Sequence, residues 1–163
     1  MHQFSMDEHL VSLTVENQFG MLARIAGLFS ARGYNISSLV VAPTEDSAVS
    51  RMILTVTGDE RIIEQIVKQL NKLIGVIKVV DLCEGKYLER ELLLTKVSLN
   101  NQNRFEVLHL TELFGGKVSD LSKKELTVEL VGESQKVDGF LELMRSYGVK
   151  EVVRTGKVAI SRE

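Results

Sequence analysis

The chain has 163 residues, of which 44% are hydrophobic and 26% charged, and its formal net charge is −2. That length holds one ordinary domain or two small ones, and the balance is that of a soluble globular protein. The slightly acidic charge, with no run of more than two basic residues, excludes the dense positive surface that a nucleic-acid partner needs. The single cysteine, Cys83, excludes a disulfide within the chain, suits a reducing cytoplasm, and reads as a half-buried small side chain. No 18-residue apolar run and no basic-then-apolar leader is present, so a cytoplasmic protein without a membrane partner is expected.

Residues 1–8 read as a disordered lead-in. From Leu10 to Glu16 apolar residues alternate, with Val11, Leu13 and Val15 on one side, which predicts a half-buried strand. The period then changes. Met21, Leu22, Ile25, Ala26, Leu28 and Phe29 form a helical stripe over Gly20 to Arg32, and Gly33 is placed to end that helix in the left-handed conformation. Ile36 to Ala42 is a second strand stopped by Pro43, Thr44 to Ser47 a turn, and Arg51 to Thr57 a third strand. Gly58-Asp59-Glu60 opens a second helix with Ile62, Ile63, Ile66, Val67, Leu70 and Leu73 inward. Gly75 is expected to end it, and Val76 to Leu82 is a fourth strand. This order, β-α-β-β-α-β, is the ferredoxin-like arrangement.

The second half repeats the order. A strand is expected at Leu92 to Leu99, a helix at Arg104 to Phe114, and a hairpin from Lys117 to Leu121 and Leu126 to Val131. A helix follows at Ser134 to Ser146, with Val137, Phe140, Leu141 and Met144 inward, then a last strand at Val149 to Ile160 with its point of interruption at Gly156. Gly75-Val76-Ile77-Lys78-Val79-Val80 matches Gly148-Val149-Lys150-Glu151-Val152-Val153 at the glycine and the valines. The expected class is therefore α+β, with two ferredoxin-like domains in tandem at 9–83 and 84–163, joined near Cys83-Glu84-Gly85-Lys86. Thin cores of this size lean on oligomerisation.

The chemistry-bearing residues are few. At the turn Asn17 to Leu22, N–H groups near Phe19, Gly20, Met21 and Leu22 lie at a helix N-terminus, where partial positive charge favours a carboxylate. Gly20 permits close approach, and Asn17 offers both a donor and an acceptor. A plain turn with an Asn cap fits the same residues. Asn35 and Ile36, after Gly33-Tyr34, are either a cap and strand start or the polar and apolar walls of a pocket. Val41-Ala42-Pro43-Thr44 is an edge strand or a contact surface for a partner protein. Glu89-Arg90-Glu91 reads as a solvated linker or strand start. His2, His9 and His109 have no cysteine or carboxylate at short metal-ligand spacing, so no metal site is expected. No P-loop, G-x-S-x-G or G-x-G-x-x-G is present, and no catalytic residue is assigned.

The run from Leu13 to Leu73, with the pieces E-N-x-x-G-x-L, G-L-F-S-x-R-G-Y-N-I and V-A-P-T-x-D, closely resembles the regulatory small subunit of acetohydroxyacid synthase, also called acetolactate synthase. Leu88-Glu89-Arg90-Glu91-Leu92-Leu93-Leu94 and the overall length are similar to that family too. The resemblance implies an N-terminal ACT domain, a ferredoxin-like module that binds amino acids, followed by a second ferredoxin-like domain. It implies a chain that does no chemistry and holds no cofactor. Its catalytic large subunit would carry thiamine diphosphate, magnesium and FAD, and the small subunit would activate it and make it sensitive to L-valine. Asn17, Gly20, Asn35 and Ile36 fall on the family's effector positions, and Met21 stands where smaller residues occur in some relatives. Ala42 falls in a segment tied to the large subunit. Side-by-side ACT domains in a homodimer are implied, with the Gly20 turn of one chain facing Asn35 and Ile36 of the other. A free-standing amino-acid sensor would share that pocket. A small ferredoxin-like hydrolase is the remaining class, disfavoured by the lack of an acid–base or nucleophile pair.

Overall fold

A computed structural model describes residues 7–162. The expected elements are present: β1 (Asp7–Glu16), α1 (Met21–Arg32), β2 (Ile36–Pro43), β3 (Val49–Gly58), α2 (Glu60–Asn71) and β4 (Val76–Asp81). A short 3-10 turn at Leu82–Glu84 leads to β5 (Tyr87–Ser98), α3 (Arg104–Leu113), β6 (Lys117–Leu121), β7 (Glu125–Gly132), α4 (Ser134–Arg145), β8 (Val149–Arg154) and β9 (Val158–Ser161). The first sheet has the order β2-β3-β1-β4 and the second β6-β7-β5-β8, with β9 also pairing to β5. The pairs β1–β3, β1–β4, β2–β3, β5–β7, β5–β8 and β6–β7 are antiparallel. This is the α+β, twice ferredoxin-like class expected from the periodicities. Of the expected lead-in, residues 1–6 lie outside the described residues, whereas Asp7 and Glu8 already belong to β1, paired with Gly58 and Thr57.

Alternation explains the first sheet. Val11, Leu13 and Val15 of β1 and Met52, Leu54 and Val56 of β3 share one face. They are buried there against Met21, Ile25, Leu28 and Phe29 of α1 and Ile63, Ile66 and Leu70 of α2. Burial of this apolar surface, at about 25 cal/mol per Å², is the main stabilising term. Two expectations for the helices are corrected. Leu22 and Ala26 face solvent rather than the core. α2 stops at Asn71, not at Gly75, because its last turn tightens: Lys72 N–H donates to Gln69 and Leu73 N–H to Leu70. Gly75, at φ 91°, instead swings the chain into β4.

The internal repeat extends to irregularities. β1 slips register against β4 between Thr14 and Val15, and β5 slips against β8 between Lys96 and Val97. At each slip an amide reaches back to a glycine carbonyl, Glu16 to Gly75 and Ser98 to Gly148, both at 2.8 Å. Both glycines have positive φ, 91° and 93°, a conformation that side chains resist. The second core holds Leu93, Val97, Val107, Leu126, Val128, Leu130, Val137, Phe140 and Met144.

Contacts divide the chain at a different place from the expected 83/84 boundary. One unit runs to Leu88 and takes back the segment from Lys157, and the other is Glu89–Gly156. The reason is a second small cluster on the other face of the first sheet, where Leu10, Ile53 and Leu82 are buried with Cys83, Tyr87 and Ala159 against them. The expected last strand accordingly breaks into β8 and β9, and Arg162 N–H donates to the Lys86 carbonyl at 2.8 Å.

Glu91, expected to be solvated, is 3% exposed. Its carboxylate takes two bonds of 2.7 Å from the Arg154 guanidinium and a 3.2 Å bond from the Ser134 hydroxyl. Arg154 also donates to Asp138 at 2.8 Å. The hydrogen bonds to Glu91, and secondarily those to Asp138, hold the guanidinium cationic well above its ordinary range against the opposing effect of burial. Removing only the cation leaves a buried carboxylate unmatched. Arg154→Met is therefore expected to cost about 3 kcal/mol in urea unfolding; a loss below about 1 kcal/mol, the scale of a surface pair, would show that the pair is solvent-screened.

Candidate functional site

The turn between β1 and α1 is built from opposite tendencies. β1 ends at Glu16, where its N–H is held by Gly75. Asn17 then anchors sideways to the hairpin between β2 and β3, through its N–H to the Ala48 carbonyl (2.7 Å) and its Nδ2 to the Ser47 carbonyl (2.9 Å). Gln18 folds back, its N–H on the Glu16 carbonyl at 2.9 Å and its side-chain amide on the Glu16 carboxylate. Gly20, at φ 80° and ψ −1°, reverses the chain as the N-cap of α1, and no side chain caps the helix. A Cβ built on Gly20 would meet nothing within 4 Å, so its requirement for glycine is conformational and its surroundings are open. The backbone carbonyl of Gly20 accepts from Arg24 (3.0 Å) and the Met21 amide donates to Gln18 (3.3 Å). The Leu22 and Ala23 amides donate to no protein acceptor among the described residues.

The other helices are treated differently. In α2 the Asp59 side chain accepts from Ile62 N–H at 2.9 Å, with Glu60 in the first turn. α3 carries Glu106 in its first turn. The turn before it is stiffened by Asn100 and Asn103, which exchange backbone and side-chain hydrogen bonds of 2.8 Å. In α4 the Ser134 amide donates to the Glu89 carboxylate at 3.1 Å. Among the described helices α1 is thus the one with no acid in its N-cap or first turn and no carboxylate bonded to its first amides, the Glu16 carboxylate at the turn being engaged by the Gln18 side chain; this leaves its partial positive charge for an external anion.

The expected site residues fall into two groups. Phe19 is fully exposed and Leu22 is 42% exposed, flanking the Gly20 turn. Met21 is 3% exposed and packs in the core, its sulfur beside Gly75. Its side chain supports the turn from beneath rather than lining an open pocket, which corrects its expected role in tightening one. Asn35 is exposed and Ile36 half-buried, at the far end of α1 where β2 begins. α1 has 12 residues, so the two ends are about 18 Å apart along its axis. One chain therefore cannot bring Asn35 and Ile36 to an amino-acid-sized ligand at its own Gly20 turn. β2, however, is an edge strand, free to meet another edge.

Val41, Ala42 and Pro43 end β2 and are exposed. Thr44 is half-buried and closes the hairpin, its hydroxyl donating toward the Asp46 and Val49 carbonyls at 3.1 Å. Sequence reasoning missed the tie from Asn17 to that same hairpin. It also missed Glu16, whose carboxylate borders the turn; its place at the end of an alternating strand carried no signal.

Two consecutive βαββαβ units, the first with a glycine turn opening α1 over an edge strand, define tandem ACT-type domains. Residues 11–78 match the model of the AHAS small subunit-like ACT domain, and residues 90–163 match that of the small subunit of acetolactate synthase. A probable acetolactate synthase small subunit of Methanothermobacter thermautotrophicus is 45% identical over 163 residues, spanning 99% of this chain and 97% of its own. The acetolactate synthase isozyme 3 small subunit of Escherichia coli is 46% identical over 154 residues, 94% of each chain. The crystal structure of the small subunit from Thermotoga maritima superposes with a TM-score of 0.87 at 40% identity, covering 97% of this chain and 99% of that one. The chain belongs to the acetolactate synthase small-subunit family.

Gly20→Ala is expected to lose about 1–2 kcal/mol of stability, since the left-handed conformation is imposed and Cβ resists it. Gly27, mid-helix and with equally open surroundings, is the control: Gly27→Ala should gain up to about 1 kcal/mol. Urea midpoints at one fixed protein concentration compare the two; equal signs would contradict the positive φ at Gly20.

Proposed function

We propose that this chain is the non-catalytic regulatory subunit of an acetolactate synthase, that it binds a catalytic large subunit, and that it confers feedback by L-valine. The observation that carries the effector assignment is the uncapped N-terminus of α1, with no acid in its first turn, behind a left-handed Gly20. The valine carboxylate would accept from the free amides of the first turn. Asn17 Oδ1 would face the ammonium group, while Leu22 and Phe19 would border the aliphatic side chain. Since Asn35 and Ile36 lie a helix length away, their part in the same site requires a second copy, with β2 edges meeting side by side. Thiamine diphosphate, magnesium and FAD would reside in the large subunit, as the chemistry of that partner.

Valine can shift activity only as far as it prefers one state of the assembly, typically by about 1–3 kcal/mol. The link from Asn17 to Ser47 and Ala48 gives a physical route. A ligand that moves the β1–α1 turn pulls on the hairpin that carries Val41, Ala42, Pro43 and Thr44, the segment proposed to meet the large subunit.

The test is the activity of the catalytic subunit, with and without this chain and over a range of L-valine, with D-valine as the stereochemical control. Gly20→Asp places a fixed carboxylate at the anion site; it should retain activation and lose valine sensitivity. Ala42→Asp should show the converse, weakened activation with calorimetric valine binding unchanged. Ordinary valine binding by Gly20→Asp would show that the site lies elsewhere. Activation absent with the natural sequence would turn the reading toward a free-standing amino-acid sensor.

A further inference from the structure

Away from the Gly20 turn, three side chains of different chemistry converge at the start of β1 and the end of β4. The Nδ1 of His9 lies 3.0 Å from Oδ2 of Asp81, and the donor atoms of His9, Asp81 and Cys83 all lie within 4.8 Å of one another. Sequence spacing hid this group, because His9 is 72 residues from Asp81. The fold closes that distance by pairing. Val11 stands opposite Asp81 across β1 and β4, so His9, two residues along, shares its face. The 3-10 turn that follows brings Cys83 round beside Asp81.

We propose that His9, Asp81 and Cys83 form a three-ligand site for a borderline-soft divalent cation of the zinc class. An imidazole, a carboxylate and a thiolate are the donor set that such an ion takes, with bond lengths near 2.0–2.3 Å. At tetrahedral angles those lengths place nitrogen and oxygen ligands about 3.4 Å apart. The His9–Asp81 pair therefore needs to open by only about 0.4 Å to admit the ion. Each anionic ligand already has the backbone support that metal ligands use. Asp81 accepts from Cys83 N–H through Oδ1 at 2.9 Å, leaving Oδ2 for the ion. Leu10 N–H donates to the Cys83 sulfur at 3.5 Å.

Access and field agree with the donor set. All three side chains line a groove of about 730 Å³ shared with Glu60, Glu64 and Glu84, against which Lys68 is the one basic lining residue. That lysine is paired with Glu64 at 2.9 Å. The groove attracts a cation, and the fourth position of the ion opens into it. Binding replaces the S–H bond of Cys83 by a sulfur–metal bond and releases the proton to solvent. The ion then ties the start of β1 to the corner where β4 leaves the first sheet. The assignment is independent of the valine reading.

The experiment is titration of the chelator-treated, phosphine-reduced full chain with CoCl2, followed by displacement with ZnCl2. Cys83 is the single cysteine, so a thiolate-to-cobalt charge-transfer band reports on it alone. One equivalent of cobalt per chain should develop the band, zinc should abolish it, and about one proton should be released. Cys83→Ser should remove the band entirely. His9→Ala and Asp81→Asn, the latter keeping an acceptor for Cys83 N–H, should each weaken binding by at least about tenfold. Circular dichroism should confirm that each variant is folded. Absence of a saturable band, or a band equally strong in folded His9→Ala and Asp81→Asn, would overturn the site; the second result would point to a thiolate acting without these partners.

Discussion

In the first unit the central strand β1 is bonded on both sides, to β3 over its whole length and to β4 over its second half. That double pairing sets everything after it. Because β1 cannot slip against two neighbours without turning its apolar side outward, its last residue has one position, and the β1–α1 turn starts from there. Gly75 holds Glu16, the β2–β3 hairpin holds Asn17, and Gly20 reverses the chain with no side chain over it. The open helix end thus stands on the most constrained strand of its sheet. A rigid mount of this kind suits a site that must read a small difference between ligands.

The two units share a plan down to their register slips, yet differ at the helix that follows the central strand. The second unit has Asn100 and Asn103 bonded to each other where the first has a bare glycine, and Glu106 where the first has no acid. The Glu106 carboxylate in that first turn offsets the positive field of the helix end, which the first turn of α1 leaves unopposed, although sheets and cores correspond.

Much of this was legible in the residues because strands and helices here are amphipathic with clean periods. The limits of α1 could be read from Gly20 and Gly33, and the duplication from the glycine–valine matches. What could not be read depends on pairing across distance. Glu89-Arg90-Glu91 has the composition of a solvated run, and it is Arg154, 63 residues away, with the Ser134 hydroxyl, that makes the burial of Glu91 tolerable. Leu22 and Ala26 fit the helical stripe by identity but sit at its edge, where the sheet does not reach. Met21 follows the glycine of the turn, yet its own side chain turns to the core. His9, Asp81 and Cys83 carry no local pattern at all. The family resemblance supplied the proposed effector positions; the 18 Å or so along α1 adds that Asn35 and Ile36 cannot join the Gly20 turn around one small ligand within one chain.

The return of the segment from Lys157 to the first unit makes the second unit an insertion within the first. Both of its ends are covalently fixed to the same body, through Leu88–Glu89 on one side and Gly156–Lys157 on the other. During synthesis the second unit has all its residues before the first does, since Ala159 and its neighbours emerge after Glu89–Gly156. The N-terminal unit, begun first, receives this segment last, and the cluster around Leu10 and Ile53, already covered by Leu82, Cys83 and Tyr87, gains Ala159 only after the second unit has been made.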